Sequence, residues 1–170
     1  CHLGNGSSIA AIKGGKCYDT TMGLTPLEGI MMGTRCGSID PAIIPLLMKK
    51  ENLTPDEIDT IMNKKSGILG ISGISSDFRD VEAAAEEGNY RAQLAEKVFA
   101  HKVRHYIGAY FAELNGCDAI VFTAGVGEND INMRDVICND LDALGVNLDL
   151  VKNKVRGKEI KISTDDSKVN

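Results

Sequence analysis

Ala119-Ile120-Val121-Phe122-Thr123 and the stretch after it, Ala124-Gly125-Val126-Gly127-Glu128-Asn129, decide the fold. The first five residues make a continuous apolar run, short and rich in β-formers, which predicts a strand buried on both faces of an α/β sheet. The turn Gly125 to Asn129 then leads into a helix predicted from Asn132 to Leu144. Between a strand and a helix start, backbone N–H groups present partial positive charge, a geometry suited to an anion or a ribose. The dinucleotide fingerprint is absent, because Asp130 stands where its third glycine would be. A Walker A sequence is absent too, since Gly15-Lys16 runs into Cys17. Taken alone, these residues leave a nucleotide turn and a plain strand-to-helix turn equally open.

Upstream, Ala92, Ala95, Phe99, Val103, Tyr106, Tyr110 and Leu114 recur at helical spacing and predict a core helix from Asn89 to Leu114, ended by Gly116. Asp77 opens a helix that reaches Glu87 and stops at Gly88. Pro41 starts one that runs to Lys50, and Thr54-Pro55-Asp56-Glu57 starts another that runs to Asn63. Gly14-Gly15 joins Ser7 to Lys13 and Lys16 to Thr21 in a β-hairpin. Gly23 to Gly37 is expected to be an ordered loop with a short helix, and Ser66 to Ser76 a Gly/Ser-rich loop. Glu159 to Ser163 is strand-like. The order of elements is α/β, without internal repeats.

A chain of 170 residues with 43% hydrophobic content is long enough for one domain with a real core. A net charge of −5 does not suggest a protein built to coat nucleic acid or an anionic membrane, so any bound phosphate must be held locally. No apolar run approaches the length of a membrane helix, which is about 20 residues. Cys1, Cys17, Cys36, Cys117 and Cys138 include no close pair of the zinc or redox kind, and they read as reduced thiols of a cytoplasmic protein. The chain opens on a polar turn with no strand before it and closes without a terminating element, which predicts a portion of a longer protein.

Other residues carry candidate chemistry. His2-Leu3-Gly4-Asn5-Gly6-Ser7-Ser8 combines tight-turn residues with donors able to surround phosphate oxygens, although Asn-Gly is equally a hairpin turn. Arg35 lies between Gly33 and Gly37 in an otherwise uncharged stretch; its planar fork suits a transferring phosphoryl group, with a structural ion pair as the alternative. Asp77-Phe78-Arg79 fits either a nucleoside contact or a helix cap with Asp80 in the first turn. His101 and His105 lack the Glu of a zinc protease and read as solvated, Lys152 to Lys161 reads as an exposed basic face, and Met31 and Met32 read as packing.

The order of these motifs is more specific than any one of them. His2 to Gly6, Asp19-Thr20-Thr21-Met22-Gly23, Thr25-Pro26-Leu27-Glu28-Gly29, Met32-Gly33-Thr34-Arg35, Asp77-Phe78-Arg79 and Phe122 to Asn129 together resemble an acetate kinase over essentially the whole chain. The resemblance implies the superfold of acetate and sugar kinases, Hsp70 and actin, built of ribonuclease-H-like domains. Residues 1–170 would be the carboxy-terminal, nucleotide-binding domain of a two-domain kinase, with the amino-terminal domain and extreme carboxy terminus lying outside. It implies reversible, in-line phosphorylation of acetate to acetyl phosphate by ATP with Mg²⁺, in a cytoplasmic homodimer. His2, Leu3, Gly4, Asn5 and Gly6 would line the phosphates. Asp77, Phe78 and Arg79, with Gly125, Val126, Gly127, Glu128 and Asn129, would contact the rest of the ATP or ADP. Arg35 would stabilise the transition state. Metal ligands and most of the carboxylate site are expected outside the chain, which alone is expected to be inactive. The alternatives are a propionate or butyrate kinase, or a non-catalytic nucleotide-binding and dimerising module.

Overall fold

Four short strands open the chain, whose residues 1–170 are all described by a computed structural model: β1 (His2–Leu3), β2 (Ser7–Ser8), β3 (Ala10–Lys13) and β4 (Lys16–Thr20). β3 and β4 form the expected antiparallel hairpin, and Gly14 and Gly15 turn it with φ of 58° and 74°. That left-handed conformation is cheap only for glycine. Ser7 and Ser8 leave the hairpin and pair with β1 instead, Leu3 opposite Ser7 and His2 opposite Ser8, because the Gly4 to Gly6 turn folds the chain straight back.

The helices largely follow their start and stop signals. They are α1 (Ile43–Glu51), α2 (Pro55–Lys64), α3 (Gly67–Ser72), α4 (Phe78–Glu86), α5 (Tyr90–Leu114), α6 (Ala124–Asn129) and α7 (Ile131–Cys138). At the start of α2 the Glu57 N–H donates to Thr54 Oγ1 at 3.3 Å and the Thr54 N–H to Glu57 Oε2 at 2.8 Å. A cap of this kind contributes about 1 kcal/mol. α5 ends where Asn115 and Gly116 turn left-handed, with φ of 59° and 113°.

Several expectations need correction. Gly23 to Gly37 holds no helix; it is a run of bends in which the Ser38 N–H donates to Gly29 O and the Met32 N–H to Arg35 O. Ser66 to Ser76 is not all loop, since it contains α3, whose N–H groups at Ile68 and Leu69 donate to Met32 O and Gly33 O. α7 stops at Cys138, and a 3₁₀ turn at Asp142–Leu144 follows the left-handed Asp140. Glu159 to Ser163 makes one bridge, Ser163 with Leu148, instead of a strand.

The run Ala119 to Thr123 also differs from the strand that was expected. It is extended, with Thr123 lying parallel to β1 through Thr123 N–H to Cys1 O and Leu3 N–H to Thr123 O, both 2.9 Å. On its other side the Asn170 N–H donates to Asp118 O, and the Ile120 N–H to Asn170 O. It is not buried on both faces: Val121 is 63% exposed. Ile120 and Val121 border a cavity of about 680 Å³ together with Ile9, Ile107, Tyr110 and Leu114.

The chain divides into two units, Cys1–Thr21 with Ala100–Asn170, and Met22–Phe99. Leu3, Ile9, Val103 and Ile137 are core residues of the first. Ile30, Met31, Met32, Ile68, Val81 and Phe99 are core residues of the second, where Phe78 meets Phe99 edge-on at 4.8 Å between ring centres.

Candidate functional site

In the first unit the tip of β1 and the turn after Thr123 are brought together. His2 Nδ1 lies 3.1 Å from Thr123 Oγ1, and a Cβ built on Gly4 would sit 3.6 Å from Ala124 Cβ and 3.9 Å from Gly125 N. Any side chain at position 4 would occupy the space between the two segments. Ser7 closes the tip: its hydroxyl donates to Gly4 O at 2.8 Å and accepts the Gly4 N–H at 3.2 Å.

The segment expected as a turn is the short helix α6, and it is held by its own side chains. The Ala124 N–H donates to Glu128 Oε1, and Asn129 Nδ2 donates to Gly125 O, both at 3.0 Å. Glu128 and Asn129 therefore shape the turn as well as flanking it. Ala124 adopts φ of 66°, a left-handed conformation that costs a non-glycine residue about 1–3 kcal/mol and persists only where the surroundings enforce it. Val126 and Gly127 are buried, while Gly125 and Glu128 are exposed.

In the second unit Asp77 caps α4 and grips Arg79. Its Oδ1 accepts the Arg79 N–H at 2.9 Å and Arg79 Nε at 3.0 Å, and its Oδ2 accepts Arg79 Nη2 at 2.6 Å. These bonds hold the Asp77 carboxyl down at about 2. Because the folded value is depressed, the charge stabilises the fold above the ordinary carboxylate range, and that contribution disappears as pH falls toward 2. Asn caps as well as Asp, so Asp77→Asn isolates the charge. The urea midpoint of the variant should fall below that of the unaltered chain at neutral pH by a small margin, because the pair lies in water. The gap should close between about pH 4 and pH 2; a gap independent of pH would rule the ion pair out as its source.

Phe78 and Leu3 are only 6% and 0% exposed. Both side chains belong to the core, so any contact these residues make with a nucleotide must come from the backbone. Arg35 is half-buried on a loop stitched to its surroundings: Thr34 Oγ1 donates to Asn63 O, the Cys36 N–H to Met62 O, and the Ser66 N–H to Thr34 O. Its Nη1 donates to the Met32 sulfur at 3.4 Å, and no ion pair forms. Within this chain Arg35 therefore has no ion-pair partner, and its fork keeps donors available.

Ser7 stood among the donors expected around phosphate oxygens, whereas Thr123 and Arg134 were not among the expected site residues. Thr123 was legible as the last residue before the turn, whereas Arg134 gave no signal, since nothing marks one arginine on an amphipathic helix. No three His, Cys, Asp or Glu side chains converge into a metal cage within the chain. His101 and His105 are exposed and Met31 and Met32 are buried, as expected. All five cysteines are free thiols, and no helix is long and apolar enough to cross a membrane.

Comparison with known proteins completes the picture. The acetokinase family model matches residues 1–170. The chain is 68% identical over 169 residues to acetate kinase of Dictyoglomus thermophilum, covering 99% of this chain and 42% of that protein. It is 63% identical to acetate kinase of Methanosarcina thermophila, covering 99% and 41%. Among solved structures it resembles Porphyromonas gingivalis acetate kinase with a TM-score of 0.96 and 48% identity, covering 99% of this chain and 42% of that one. It also resembles a propionate kinase from Francisella tularensis with a TM-score of 0.93 and 43% identity, covering 99% and 43%. The chain thus spans about two fifths of the length of the relatives it matches, and its mixed α/β fold is that of these kinases.

Proposed function

The chain belongs to the acetokinase family, and from that premise we propose that the whole protein moves the γ-phosphoryl group of ATP to acetate, giving acetyl phosphate and ADP reversibly. The observation that carries the reading is the contact between the tip of β1 and the Ala124 turn, which leaves a glycine-lined gap between two segments rich in backbone donors. In this reading His2 to Gly6 line the phosphates, while Gly125 to Asn129 and Asp77 to Arg79 serve the rest of the nucleotide.

Acetate is already ionised at neutral pH, so no general base is needed. A carboxylate oxygen forms the new bond to the γ-phosphorus as the bond to the β,γ-bridging oxygen breaks, and ADP leaves with that electron pair. Arg35 supplies two parallel donors to the equatorial oxygens, where charge is spread in the transition state. Mg²⁺ would neutralise phosphate charge with ligands from the remainder of the protein. We place residues 1–170 in the carboxy-terminal part of a cytoplasmic homodimer, and expect no turnover from them alone.

The test supplies the whole protein with Mg-ATP and acetate, propionate or butyrate, and traps the acyl phosphate. Acetate is expected to give the highest kcat/KM. A single methylene changes selectivity only modestly, by about 10- to 200-fold, so all three acids must be compared. A higher value for propionate would replace acetate with propionate as the substrate. ADP binding without any acyl phosphate would leave only a nucleotide-binding module.

A further inference from the structure

Arg134, on α7, is 2% exposed and forms no ion pair. Its Nε donates to Asn153 Oδ1 at 2.7 Å and its Nη1 to Gly127 O at 3.0 Å. Nη2 donates to Asn153 O and to Val155 O, both at 2.8 Å. Asn153 is itself 1% exposed, and its Nδ2 donates to Ile131 O at 3.0 Å. Further along, the Gly157 N–H reaches Glu128 O at 3.4 Å. The guanidinium is therefore the hub that binds the Ala124–Asn129 turn to residues 153–157, while the start of the same turn is bonded to β1.

A buried guanidinium solvated mainly by carbonyl oxygens is a costly way to obtain stability, since desolvating the charge offsets much of the gain. A planar fork with five donors is, however, well suited to holding three backbone carbonyls and one amide at fixed angles. Nearby, Asp130 caps α7 by accepting the Met133 N–H; burial pushes its carboxyl up, against the pull of Arg134 and Arg156.

We propose that Arg134 is a positioning residue for the nucleotide: by holding Gly127 O and the Asn153–Val155 backbone it sets the turn against β1, and so sets affinity for a nucleoside di- or triphosphate that it never touches. This rests on the nucleotide reading above. A residue with a merely structural role would alter melting temperature and the yield of folded enzyme, and leave the kinetics of the folded fraction unchanged.

The experiment uses the whole enzyme carrying Arg134→Lys, which keeps the charge but cannot span four acceptors. KM for ATP and the ADP dissociation constant from calorimetry should both rise by about 10- to 100-fold, the scale of a small misplacement of a binding element. KM for acetate should stay within about twofold, because only the nucleotide side is displaced. A folded variant with unchanged ADP affinity, or with both KM values raised alike, overturns the proposal. If Arg134→Lys does not fold, Asn153→Ser, which removes the acceptor at Nε and keeps the charge, decides on the same readings. An unaltered enzyme that binds ADP but phosphorylates no carboxylate sinks the acetate reading alone, and the ADP affinities then decide the role of Arg134. One that binds no ADP sinks both.

Discussion

Replacing Arg35 with alanine in the whole enzyme is expected to lower kcat by about 10³- to 10⁵-fold, the measured worth of an arginine placed on a transferring phosphoryl group. The lower bound corresponds to about 4 kcal/mol of transition-state stabilisation. The expectation rests on how the side chain is held. Arg35 is half-buried and paired with no carboxylate, yet its backbone is pinned, with the Met32 N–H donating to Arg35 O at 3.0 Å and the flanking Cys36 N–H to Met62 O at 2.9 Å. A guanidinium that spends its charge on no internal partner, on a loop that cannot drift, is preorganised for charge that develops elsewhere.

KM for ATP should change little, because an interaction made mainly in the transition state lowers kcat and kcat/KM together. Melting temperature should also hold, since the lost contact is one weak bond to the Met32 sulfur. Arg35→Lys should recover only part of the loss, because an ammonium offers a point charge in place of a bidentate fork. A kcat within a few-fold of the unaltered enzyme for Arg35→Ala would remove Arg35 from the chemistry.

The elements legible in the sequence were those whose signals are local. Gly14-Gly15 supplies two left-handed residues where the hairpin needs them, and Thr54-Pro55-Asp56-Glu57 carries its own capping box. Asp77 likewise caps α4 with its own side chain, and α5 repeats apolar residues over many turns. The misses were elements that exist because something distant holds them. α3 reads Gly-Ile-Leu-Gly-Ile-Ser, a poor helix by propensity, and its first turn stands because Met32 O and Gly33 O accept its N–H groups. α6 contains two glycines and a left-handed alanine, and is closed by Glu128 and Asn129 reaching back one turn.

The site divides in the same way. The motifs at His2 and Gly125 could be found singly, but that they meet depends on a parallel pairing between residues 121 apart, which no spacing rule reveals. The apolar run of five was expected to be a strand buried on both faces, whereas only Thr123 pairs, in a single bridge with His2, and Val121 is exposed. The pattern records that Ile120 and Val121 are apolar, not whether both faces meet partners. Arg134 was invisible because its partner Asn153 lies on a segment without regular structure.

Gly67 gives the sharpest test of how far the Arg35 loop depends on its support. Its φ is 64°, and it stands at the first residue of α3 directly against that loop. A Cβ there would collide with Met32 O and would lie 2.8 Å from Arg35 O and 3.1 Å from Arg35 N. All three are backbone atoms, so no side chain can swing away to make room. The left-handed conformation alone costs a non-glycine residue about 1–2 kcal/mol, and displacing the backbone raises the total for Gly67→Ala above about 3 kcal/mol. For a domain of this size that is a fall of roughly 6–12 °C in melting temperature. Since the bonds from Ile68 and Leu69 to Met32 O and Gly33 O must lengthen together, Arg35 moves with them, and kcat should drop by about 10²-fold in the molecules that remain folded. Gly15→Ala separates the two causes, because Gly15 has a similar φ of 74° with nothing within 4 Å of its added Cβ. It should lose only about 1 kcal/mol and keep full activity. Equal effects from the two substitutions would mean that α3 does not brace Arg35.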